Sequence, residues 1–324
     1  MNNYSKQIKL WSNLGQRATF GLLTLDLIKD YKNLHIVSAD VSTSAGLDRF
    51  KKSFPNNYID VGIAEQNMIG IATGLKDEGL DVITTTFAPF QTSRCNEQIK
   101  VNLGYMKYKV VMVGLASGLA LGPLGFTHCS IEDLGVLRSI PNIAIVSPAD
   151  CGSLSQILKA SMKYSNSVYI RLTGSSNCPI IYNEEINLEI GKANEIKEIS
   201  DLTIFGSGPT VSLAIKVSEE LQKKNIKAGV IDMHTIKPID KDILKKTVKR
   251  SKILVSIEEH NLIGGLASAL SEELSKIDQS PKLISFGAED FYSQAGTYDY
   301  LKETYGLTIK NIVSKILKNY EQFK

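Results

Sequence analysis

The stretch Tyr58-Ile-Asp-Val-Gly-Ile-Ala-Glu-Gln-Asn-Met68 sets a carboxylate, Glu65, at a helix start among apolar neighbours. Val61, Ile63, Ala64, Met68 and Ile69 flank it in the sequence. The first turn of a helix favours negative charge through the helix dipole. The same neighbours would desolvate the carboxyl group, and desolvation raises a carboxyl pKa. Two readings of Glu65 stand at this point: a helix-start residue in a capping arrangement, or an acid held for chemistry.

On either side of this stretch, short β-branched runs alternate with helical patterns. Residues 35–41, 81–87, 109–115, 143–147 and 168–172 read as buried strands. Residues 15–29, 64–78, 90–103, 131–139 and 151–164 read as helices. Such alternation predicts a doubly wound α/β domain, a parallel sheet with helices on both faces. Ligands on such sheets sit beyond the carboxyl ends of the strands. The polar, Ser- and Asn-rich segment after residue 174 breaks the rhythm and reads as a connection. A second α/β alternation follows, with strands at 201–205, 228–232, 252–257 and 282–286 and a closing helix at 308–320. The predicted division is a first domain at 1–178, a linker at 179–200 and a second domain at 201–324.

Bulk properties exclude several classes. The 324 residues are 43% hydrophobic and 22% charged, enough for two full cores. The net charge of +3 is too small, and too mixed with acidic residues, to indicate a nucleic-acid partner. Cys95, Cys129, Cys151 and Cys178 form no CxxC pair, so neither zinc nor a redox motif is indicated, and a reducing cytoplasm fits. The first residues lack a signal peptide's apolar core, and no apolar run is long enough to span a membrane.

Further motifs follow Glu65 in order. Thr84-Thr-Thr-Phe-Ala-Pro-Phe90 puts two aromatics at the carboxyl end of a strand. Gly125-Phe-Thr-His128, Ile131-Glu-Asp-Leu134 and Val146-Ser-Pro-Ala-Asp150 come next. Upstream stand Ser38-Ala-Asp-Val41 and Ser44; downstream, Phe205-Gly-Ser-Gly208 and the run from Val255 through Glu258-Glu-His-Asn261 to Gly265. In order and spacing this chain resembles the pyrimidine-binding and C-terminal domains of transketolases and 1-deoxyxylulose-5-phosphate synthases.

The resemblance implies a role for each matched position. Glu65 would share a proton with the aminopyrimidine of thiamine diphosphate and so activate it. Phe87 and Phe90 would wall the pyrimidine pocket, with Phe90 the stacking partner; Phe87 could equally be core. Ser93 stands where the family has a third aromatic. Asp40 and Val41 would lie along the cofactor, and Ser44 and His128 at the substrate. His128 would donate a proton there, or serve only as a hydrogen-bonded loop residue. His260 is expected at a domain or subunit contact.

Two things depart from the family. No Gly-Asp-Gly occurs in the sequence, so the motif that binds Mg2+ and diphosphate is missing. The resemblance then implies a separate N-terminal partner subunit carrying that motif, in an α2β2 assembly, unless cofactor binding has been lost. Ala116, Leu124 and Gly174 replace the histidine, aspartate and arginine that read sugar phosphates, while Arg171 on its strand would point elsewhere. A modified or non-standard acceptor is therefore expected. Three functions are in play: the β subunit of a split transketolase, a pyruvate-decarboxylating carboligase, and a cofactor-free structural or regulatory paralogue.

Overall fold

The computed structural model describes residues 3–173 and 176–320. Two sheets carry the fold. The first contains β1 (Leu34–Ser38), β2 (Tyr58–Asp60), β3 (Asp81–Phe87), β4 (Val111–Leu115), β5 (Ile143–Val146) and β6 (Ser167–Arg171). The second contains β7 (Asn194–Lys197), β8 (Leu202–Gly206), β9 (Ala228–Asp232), β11 (Ile253–Asn261) and β12 (Lys282–Ala288). Its neighbour order is β12-β11-β8-β9-β7. A short strand, β10 (Thr235–Lys237), leaves the second half of the chain and joins the first sheet, whose order is β10-β5-β6-β4-β3-β1-β2.

Both sheets are parallel except at one edge each. β10 runs antiparallel to β5, and β7 antiparallel to β9. Both exceptions escape the sequence pattern for physical reasons. β7 is a polar edge strand, Asn-Glu-Ile-Lys, every residue of it half-buried, and it falls inside the span predicted as linker. β10 is three residues long, too short to show a period.

Alternation along the strands places one set of side chains on each face of the first sheet. Ile36, Ile83, Val111 and Val113 pack with Trp11, Phe20 and Leu154 in one core. Val37, Met112, Tyr169 and Ile145 share a second core with Phe205, Ile231 and Leu266 of the second domain. The two domains are thus joined by continuous apolar packing, which fixes the first domain's loops against the second.

One predicted helix is broken. The span 90–103 becomes the helix Ala88–Gln91, a turn through Thr92 to Cys95, the short helix Asn96–Gln98 and a π-helical turn, Ile99–Tyr105. The Thr92 hydroxyl bonds back to the Ala88 carbonyl at 2.7 Å, and the Cys95 thiol to the Phe90 carbonyl at 3.1 Å. These local bonds end the first helix.

Candidate active site

β2 leads into the site. Asp60 Oδ1 accepts N–H bonds from Asp40 (3.1 Å) and Gly62 (3.0 Å), tying the loop after β1 to the turn before Glu65. Gly62 takes φ 68°, a conformation that favours glycine. The helix Glu65–Asp77 then begins with no side-chain cap at its N-terminus. The carboxylate of Glu65 is not used for capping. It is buried, with a side chain 5% exposed, and its Oε1 meets Arg94 Nη1 at 2.6 Å. Desolvation of Glu65 is thus met by a cation. The sequence reading missed Arg94, because an unbroken helix over 90–103 gives it no reason to face Glu65.

The aromatics lie at the same corner. Phe87 and Phe90 meet edge to face, with centroids 6.3 Å apart. His128 packs edge-on against both, 5.3 Å from Phe90 and 6.2 Å from Phe87. The Arg94 guanidinium carbon stands 4.0 Å from the Phe90 centroid, within cation–π range. Thr127 Oγ1 lies 3.3 Å from the Leu124 carbonyl and 2.9 Å from His128 Nδ1. The Thr127 contact occupies Nδ1, so Nε2 is the ring nitrogen left to meet another group. Glu65, Phe87, Phe90, Arg94 and His128 therefore form one cluster.

The other sequence-predicted residues are placed differently. Asp40 is exposed, and its φ of 53° marks a sharp turn at the end of β1. The Val41 side chain is buried in the core. Ser44 lines a separate cavity of about 390 Å³ with Gly15, Arg17, Thr43, Gly46 and Ser176. Arg17 was also missed. It makes no ion pair among the described residues, and burial pulls its pKa down. Its neighbours come from distant parts of the chain, so no local motif marks it. Ala116 is buried at φ 52° after β4, Leu124 is 56% exposed, and Gly174 lies outside the described residues.

Arg171 is unavailable to substrate. It is buried, with Nε 2.8 Å from Asp133 Oδ2 and Nη2 donating to the Ser130 and Glu259 carbonyls at 3.2 and 2.9 Å. Tyr169 also donates to Asp133 Oδ2, at 2.8 Å. In the Glu258-Glu259-His260 run, Glu259 and His260 reach across the same domain contact. Glu258 accepts the Leu266 and Ala267 amides and so caps the helix Leu266–Leu274. Glu259 accepts from the Leu119 amide (2.7 Å) and the Tyr298 hydroxyl (2.5 Å). His260 Nδ1 lies 2.6 Å from the Asn261 carbonyl, while Nε2 accepts the Leu134 and Gly135 amides. The ring is therefore neutral, and burial depresses its pKa to about 4.

Asp232 gives a pH-dependent prediction. It is fully buried at the end of β9, Tyr182 donates to its Oδ2 at 2.6 Å, and its Oδ1 has no partner among the described residues. Burial pushes its pKa up to about 8. In the unfolded chain the group ionises near pH ~4. Its contribution to stability is thus complete below that pH and lost as pH rises through about 8. Glu258, also raised by burial to about 8, has the same sign. Asp232→Asn is expected to shallow the fall in melting temperature between pH 5 and 9, leaving the part due to Glu258 and to Glu132 and Glu259, which burial also raises. Equal slopes for variant and wild type would refute this.

The chain belongs to the transketolase family: the transketolase pyrimidine-binding domain matches residues 13–178 and the transketolase C-terminal domain residues 191–312. Members of this family are transferases. Among similar proteins is one subunit of the apulose-4-phosphate transketolase of Phocaeicola vulgatus, 34% identical over 275 residues, 85% of this chain and 88% of that protein. A 6-deoxy-6-sulfo-D-fructose transketolase subunit of Clostridium sp. strain MSTE9 is 34% identical over 92% of each chain. A solved structure, a split-gene transketolase in the form of an inactive beta4 tetramer, superposes with TM-score 0.86 at 32% identity, covering 94% of this chain and 97% of the other.

Proposed function

We propose that this chain is the β subunit of a split, thiamine-diphosphate-dependent transketolase that transfers a two-carbon ketol unit between sugars bearing an anionic end group. The observation that carries this is the cluster of a buried Glu65 carboxylate, the Phe90 ring and a planar cation bridging them. An aminopyrimidine is itself planar and able to donate to a carboxylate, so the residues present fit it. Thiamine diphosphate supplies the electron sink for breaking and forming the bond beside the ketose carbonyl. Glu65 would hold the pyrimidine's ring proton, Phe90 would stack on the ring, and Phe87 would wall the pocket beside it. Asp40 would approach the cofactor from the loop after β1, and Val41, its side chain held in the core, would do so only through its backbone. His128 Nε2 would exchange a proton with the substrate.

The diphosphate and Mg2+ would be held by a separate N-terminal subunit, in an α2β2 assembly. Support comes from the split-gene relatives, matched over nearly their whole length. The exposure of Ile63 (77%), two residues before Glu65, fits a covered face. Among the described residues no helix is long and apolar enough to cross a membrane, and we place the assembly in the cytoplasm.

Ser44 and Arg17 in their shared cavity would hold the anionic end of the substrate, a task the sequence alone left without a residue. The named substrates of the two relatives, a sugar phosphate and a sulfo-sugar, carry such a group. Arg17→Ala is expected to raise KM for an anionic acceptor by about 10–100-fold, with kcat changed little, because it removes a charge-assisted hydrogen bond made before and during reaction. An unchanged KM would remove Arg17 from the site. The test of the whole reading is co-expression with the partner subunit and assay of thiamine-diphosphate- and Mg2+-dependent transfer from ketose donors. Activity with pyruvate and none with a ketose would make the protein a carboligase instead. No cofactor-dependent turnover with any donor would favour a structural paralogue.

A further inference from the structure

We propose that Arg94 is a positioning residue that occupies the aminopyrimidine's place in the cofactor-free chain and swings out when the cofactor binds. The inference rests on the cofactor reading above. Its geometry is an overlap: the Arg94 guanidinium donates to Glu65 Oε1 at 2.6 Å and lies 4.0 Å from the centre of the Phe90 ring. A ring stacked on that face of Phe90 while bonded to Glu65 fills the same volume, so the two occupants exclude each other.

The surroundings allow the side chain alone to move. The Arg94 backbone is fixed, its N–H on the Pro89 carbonyl (3.2 Å) and its carbonyl on Gln66 Nε2 (3.0 Å). The side chain is 42% exposed and borders an exposed Ser93, so solvent receives it on release. Guanidinium is planar, permanently charged and a fork of donors, which lets it stack and pair at once. The arrangement leaves the buried Glu65 carboxylate paired in both states, by Arg94 before loading and by the pyrimidine after it. An unpaired buried charge would be strongly unfavourable. Cofactor loading is then an exchange of partners, and the lost Arg94–Glu65 pair offsets part of the binding free energy.

The test is calorimetric titration of thiamine diphosphate into the assembled two-chain enzyme with Mg2+, for wild type, Arg94→Met and Arg94→Lys. Met keeps the stem and loses the cation; Lys keeps the charge and loses the planar fork. The Kd is expected to fall about tenfold for R94M and by less for R94K. The cofactor-free R94M chain should melt below wild type, and the cofactor-saturated R94M complex should not. If R94M binds more weakly than wild type, or equally, Arg94 is not displaced and the proposal is wrong. If wild type binds no thiamine diphosphate, the cofactor reading itself fails, and this proposal with it. Should R94M not fold, the sign of the R94K shift decides.

Discussion

Glu65→Gln is expected to lower turnover of the assembled enzyme by about 10²–10⁴-fold, the range for loss of a group that moves a proton in the rate-determining chemistry. Glutamine keeps the volume of the side chain and one oxygen acceptor, so the pocket should still close over it. It cannot carry a proton in one state and give it up in another. Among the described residues the one polar side-chain partner of Glu65 is Arg94, and the rest of its surroundings is the packing of the first turn of its helix. The substitution should therefore leave folding and subunit assembly intact, and analytical ultracentrifugation of the complex checks that. A variant with activity within tenfold of wild type, at saturating cofactor and Mg2+, would sink the role assigned to Glu65.

The second large effect is on stability. Arg171→Met should destabilise the chain by about 3–5 kcal/mol, the usual cost of removing one partner from a buried ion pair. The Asp133 carboxylate would remain buried with only the Tyr169 hydroxyl, and the carbonyls of Ser130 and Glu259 would lose the guanidinium, Ser130 keeping the Gly118 amide at 2.9 Å. Those carbonyls belong to the first domain's loop and the second domain's longest strand, so the damage falls at their contact. At ~2–4 °C per kcal/mol for chains of this order of size, the melting temperature should drop by roughly 10 °C. Replacing Asp133 as well, in Arg171→Met/Asp133→Leu, removes the orphaned charge and should restore much of the loss. A single variant as stable as wild type would show that the pair is not structural. Thermal melts of the three proteins at one pH decide it.

The features legible in the sequence were those that sit together along it. Glu65 and its apolar neighbours, Phe87 and Phe90 at a strand end, and the Thr127-His128 pair are contiguous motifs, and the fold brings Glu65, both aromatics and His128 to one corner. Most strands of both sheets were legible too, as β-branched runs with clear edges. What was hidden depended on distant partners or on a local break. Arg94 faces Glu65 only because the helix after Phe90 stops at Thr92, an interruption set by side-chain to backbone bonds that periodicity does not register. Arg17 lies 27 residues before Ser44 and far from Ser176, and the shared cavity exists only once the loops meet. The Glu258-Glu259-His260 run was readable as a motif, but its tasks as cap and clasps appear only from the amides it meets. The polarity of β7 and the brevity of β10 kept both out of view.

β10 also limits how such a chain can be divided. The three residues Thr235–Lys237 come from beyond β9, yet they close the β5 edge of the other sheet. A fragment ending near residue 178 would leave β5 with a bare edge, a template for pairing between copies. The two domains are therefore tied by a shared sheet edge as well as by apolar packing, and separating them would uncover a strand that the intact chain keeps paired.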